Sequence, residues 1–168
     1  MTFGTYLRPI LGSEQLLMIP KVTDTRPIAE RGDIFGWIDP DFRKWKLALE
    51  QVSTEAIICQ GLEQFKSGKF KSIYTIPSRP FESLCFSQAQ IALFAGIHKD
   101  WLRTRGGGMF FLFKEKIDGQ EKFFVSYVRF SSRKLLTIKV YPMSEESIWD
   151  ITTYSCDFVI PQLPFESL

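Results

Sequence analysis

The chain has 168 residues, 45% of them hydrophobic and 24% charged, with a formal net charge of +2. This length and balance suit a folded α+β domain and exclude wholesale disorder. No apolar run approaches the ~20 residues that span a bilayer.

Sixteen Phe and four Trp make the expected core strongly aromatic, and Trp37, Trp45, Trp101 and Trp149 are all read as core residues. Residues 1–160 are expected to form one domain. It is an antiparallel sheet of about five or six strands with three or so helices packed on it. Residues 161–168, "PQLPFESL", read as an extended proline-containing tail.

"EQLLMIPKV", residues 14–22, predicts a strand cut at Pro20, and "DIFGWID", residues 33–39, a short strand with a glycine kink. Asp39 with Pro40 behind it predicts a helix start, and Phe42, Trp45, Leu49 and Val52 give that helix an apolar stripe. A second helix is expected from Ser53 or Thr54 to Gly68, with Ile57, Ile58, Leu62 and Phe65 inward. "KFKSIYTIP" reads as a strand and "SRPFES" as a turn-rich link. Ser87 with Gln90 three residues on has the spacing of a capping box and opens a helix that runs to Gly96.

Past "GGG" the period changes. "MFFLFKEKI", "EKFFVSYVRF" and "KLLTIKVY" predict three strands joined by hairpin turns at "DGQ" and "SSR". The second is apolar on both faces, with Phe124, Val128 and Phe130 on one side and Phe123, Val125 and Tyr127 on the other. It is therefore expected between the other two. A short helix at "SEESIWDI" and a strand at "CDFVI" complete the expected elements.

Charge is unevenly placed. Residues 98–140 hold ten Lys and Arg against four acids, whereas residues 141–168 hold five acids and no base. Such asymmetry points to a nucleic-acid surface, or to an acidic end folded back on a basic sheet. The residues expected to meet phosphates are Lys99, Arg103, Arg105, Lys114, Lys116 and Arg133.

Residues 88–102 resemble a helix-turn-helix unit. Ala92 stands at the helix crossing and Gly96 at the turn; Ile91, Ile97 and Leu102 lock the helices; His98, Lys99, Asp100 and Arg103 face outward. An ordinary capped helix feeding a sheet explains the same residues. "RTRGGG" resembles one unit of an Arg-Gly-Gly RNA-binding segment. Lys116-Ile117-Asp118-Gly119 looks like the Lys-x-Asp-Gly signature of covalent nucleotidyl transferases, or else an Asp-Gly hairpin turn.

The chain is expected to be a non-enzymatic binding protein whose partner is nucleic acid. The competing readings are a protein-interaction or inhibitor module and, more remotely, a small nuclease in which Asp33, Asp39 and Asp41 hold a metal. No cofactor motif is present. Cys59, Cys85 and Cys156 form no pair by spacing and read as small buried hydrophobes, which with the lack of a signal-peptide pattern suggests the cytoplasm.

Overall fold

Alternating apolar residues and short apolar stripes resolve, among the described residues, into nine strands and four α-helices. They are seen in a computed structural model that describes residues 3–10, 17–47, 53–105, 108–151 and 156–162. The strands are β1 (Leu7–Pro9), β2 (Leu17–Ile19), β3 (Trp37–Ile38), β4 (Ile57–Gln64), β5 (Cys85–Phe86), β6 (Gly108–Ile117), β7 (Gln120–Phe130), β8 (Leu136–Pro142) and β9 (Cys156–Pro161). The helices are α1 (Asp41–Lys44), α2 (Phe70–Ile73), α3 (Gln88–Ile97) and α4 (Lys99–Arg105).

One sheet holds every strand, in the order β1-β4-β9-β6-β7-β8-β3, with β2 on the β1 side of β4 and β5 beside β9 along β6. The expected meander is present: β6–β7 and β7–β8 are antiparallel, with β7 in the middle. Asp118 and Gly119 both take positive φ, 50° and 78°, as a two-residue hairpin turn requires.

The sheet is larger than expected and mixed rather than antiparallel. β9 pairs parallel to β6, β5 parallel to β6, and β3 parallel to β8. Tight turns reveal only antiparallel neighbours. Strands that return after long connections are free to run parallel, and no local residue pattern records that.

Four local expectations are corrected. Residues 57–64 form β4 rather than a helix, because both edges are hydrogen-bonded, to β1 and β2 on one side and β9 on the other. "KFKSIYTIP" contains the single helical turn α2 rather than a strand. Phe70, Ile73 and Tyr74, at three- and four-residue spacing, are all buried on one side. The helix after Asp39 is one turn long, ending before Lys46 at φ 56°, and Leu49 and Val52 lie outside the described residues. Residues 145–150 are not helical; Trp149 instead bridges to Gly68 by paired backbone hydrogen bonds.

The two faces of the sheet carry separate aromatic cores. One face buries Met109, Phe111 and Phe113 of β6, with Phe124 and Val128 of β7, under α1, α3 and α4. The other buries Phe110, Leu112, Val125, Tyr127 and Phe158 under α2, with Trp149 packed against them. The two-faced reading of β7 therefore holds residue by residue.

Candidate nucleic-acid interface

The six basic residues expected to meet phosphates do not gather in one place. Lys99 and Arg103 are exposed on α4, on the face that α3 covers. Arg103 lies 5.0 Å from the Phe130 ring and 3.4 Å from Asp100. The Arg105 side chain lies outside the described residues. Lys114 and Lys116 sit near the β6–β7 turn, whereas Arg133 is exposed in the β7–β8 connection at the opposite end of the meander. Lys116 is seven residues along β6 from Met109. At about 3.3 Å per residue the two lie ~23 Å apart.

The charges around Lys114 and Lys116 also cancel locally. Lys116 faces Glu121 and Glu115 faces Lys122 across the hairpin, while Lys114 is 3.7 Å from Glu121. Lys114, Glu82 and Glu115 line a cavity of about 310 Å³ at the start of α3. Elsewhere in the chain Arg26 and Arg31 are bound to Asp24 and Asp33.

The stretch that resembles a helix-turn-helix does form two helices. Ser87 accepts from the Gln90 N–H at 3.1 Å and the Gln90 side chain accepts from the Ser87 N–H at 2.9 Å, completing the capping box. The turn is not where the resemblance places it. Gly96 lies inside α3 and does not take a positive φ. Ile97, assigned to lock the helices, is 49% exposed. His98 faces the sheet rather than outward: its ring packs on Phe94 at 4.6 Å and its Nε2 donates to the Met18 carbonyl at 2.8 Å, covering an outer strand.

A different patch emerges on the face that carries α2, beyond the area α2 covers. Ile38 and Ile138 pair in register and pack on the opposite core, so their neighbours Trp37 and Thr137 both point to this face. Thr137 in turn faces Arg129 on β7, and Lys139 faces Tyr127. Trp37, Thr137 and Arg129 thus form one row across three strands, with Lys139 diagonal to Arg129. Trp37 is 44% exposed, contrary to the expectation that all four tryptophans are core.

Residues 129–140 contain Arg129, Arg133, Lys134 and Lys139 and no acid. All four are exposed, and among the described residues none has a carboxylate partner. The acid that follows β3, Asp39, accepts from the backbone N–H groups of Asp41 at 3.0 Å and Val140 at 3.1 Å.

Of this patch the sequence reading singles out Arg133 and not Trp37, Arg129, Lys134 or Lys139. The acid-free run and the outward alternation of Thr137 and Lys139 were legible signals; the pairing that brings in Trp37 was not.

Two acids of the segment after β8 lie against other partners. Glu146 pairs with Lys69, whose ammonium holds the carboxyl below its usual range, and Asp150 accepts from Ser67 at 3.4 Å. Among the described residues no three His, Cys, Asp or Glu side chains group as metal ligands. Cys59 is buried, and burial pushes both its thiol and that of Cys85 up to about 12. No helix among the described residues is long and apolar enough to cross a membrane. No protein-family model matches the chain, and neither a curated protein nor a solved structure matches it.

Proposed function

We propose that the chain binds nucleic acid through the β7–β8 end of its sheet, with Arg129, Arg133, Lys134 and Lys139 meeting phosphates. The observation that carries this reading is the set of four exposed cations in an acid-free stretch, none held by a carboxylate among the described residues. Cations free of intramolecular partners keep their full charge for phosphates, and their binding releases condensed counterions. Of the six residues expected from sequence, Arg133 belongs to this group. Lys99 and Arg103 lie on the other face, and Lys114 and Lys116 belong to a charge-balanced hairpin. Nothing in the reading calls for catalysis.

The test is fluorescence anisotropy of a labelled mixed-sequence oligonucleotide across a salt series. Log affinity should fall linearly with log salt. A slope of about −2 to −3 is expected for four single-strand phosphate contacts. An absence of binding at low salt sinks the proposal.

A second reading, a protein-interaction module, draws on Met18 and Ile58. These residues face each other across β2 and β4 and stand 53% and 42% exposed. Binding of an apolar peptide that Ile58→Asp abolishes, with no response to oligonucleotide, would favour it.

A further inference from the structure

We infer that the nucleic acid taken at this patch is single-stranded, with an unstacked base lying on the Trp37 ring; this rests on the polyanion-binding reading above. Trp37 is held on β3 by pairing with β8, and its exposed side chain lies in the same row as Thr137 and Arg129. Among the described residues no ring packs on it. The other three tryptophans all have aromatic partners: Trp45 stacks with Phe124, Trp101 meets Phe94, and Trp149 meets Phe70, Phe110 and Tyr141. Trp37 is thus the tryptophan that combines 44% exposure with no aromatic partner among the described residues.

Sheet geometry fixes the rest. Adjacent strands are about 4.8 Å apart, so two spacings put the Trp37 and Arg129 backbones ~10 Å from each other. A base stacked on Trp37 leaves neighbouring phosphates within reach of the long Arg129 and Lys139 side chains. A duplex does not fit this layout. Its bases are stacked on one another and closed to Trp37, and a major groove admits a helix or a two-stranded ribbon, not the broad face of three adjacent strands. Single strands offer free base faces and flexible phosphates, and exposed aromatic rings among cations are the surface that takes them without sequence preference. Thr137, between them in the row, donates its hydroxyl to the Arg129 carbonyl at 3.2 Å and ties the two strands together there.

The experiment measures anisotropy with a 12-residue oligo-dT, the matching RNA, a duplex of equal length and poly-glutamate, on wild type, Trp37→Ala and Trp37→Phe. The expected result is single strands bound at least about ten-fold tighter than duplex at equal salt. Trp37→Ala should weaken single-strand binding about ten-fold and leave the salt slope unchanged, because stacking neutralises no phosphate. Trp37→Phe should retain most of the affinity. Thermal midpoints of the variants verify that each is folded, and a half-exposed edge residue should leave them close to wild type.

The inference is overturned while the polyanion reading survives if duplex binds as tightly as single strand, or if a folded Trp37→Ala matches wild type. Poly-glutamate binding as tightly as oligo-dT overturns it in favour of an acidic protein partner. No binding to any nucleic acid overturns both.

Discussion

Two glycines show how far a residue's role departs from its sequence signal. Gly96 reads as a left-handed turn, yet it is an interior helical residue, where a Cβ would meet only the Ile34 side chain, at an ordinary 3.4 Å. Gly108 reads as one of three loop glycines, yet it opens β6 beneath the Tyr127 ring, and a Cβ there would lie 1.8 Å from the ring. Tyr127 has little room to yield, since it stacks on Phe110 at 4.6 Å. Gly96→Ala should therefore raise stability by about 0.5–1 kcal/mol through lost unfolded-state freedom. Gly108→Ala should lower it by ~1–3 kcal/mol through overpacking. Urea denaturation of the two variants checks both signs. A destabilised Gly96→Ala would restore the turn reading of that glycine.

At the scale of elements, legibility followed the range of the forces involved. The capping box of α3, the Asp118-Gly119 turn and the β6–β7–β8 meander depend on neighbours in sequence, and all were readable. Ser87→Ala removes the hydroxyl that holds the Gln90 N–H and should cost about 1 kcal/mol, read as a lowered urea midpoint at unchanged slope. An unchanged midpoint would show that Gln88, which accepts from the Ile28 N–H at 3.0 Å and donates to the Leu47 carbonyl at 2.7 Å, anchors the helix by itself.

The misread elements were those decided by distant partners. Ile57, Ile58, Leu62 and Phe65 fit helical spacing as well as a strand, and only β1, β2 and β9 alongside settle the choice. Phe70, Ile73 and Tyr74 fit a short strand as well as a helical turn, and the second core they bury into settles the choice. The site was half legible for the same reason. The basic run 129–140 is local, whereas Trp37 joins it by a parallel pairing of strands about a hundred residues apart.

Across the whole molecule, charge is managed in three different ways. The loop bases Arg26 and Arg31 are locked to Asp24 and Asp33, whose carboxyls are held below their usual range by hydrogen bonds from those arginines. The β6–β7 hairpin alternates signs across its strands. The acidic segment after β8 pairs with Lys69 of the α2 side. The β7–β8 end, by contrast, carries four exposed cations with no acid in the run 129–140 and no carboxylate partner among the described residues, a local excess that a net charge of +2 conceals. The decisive measurement compares two double variants that remove equal charge from opposite ends of the meander. Arg129→Ala with Lys139→Ala should reduce the salt slope for oligo-dT by about 1.4 units and weaken binding. Lys114→Ala with Lys116→Ala should leave both the slope and the affinity at low salt near wild type. Equal losses in the two, or a larger loss in the hairpin variant, would contradict the assignment of the interface to the β7–β8 end.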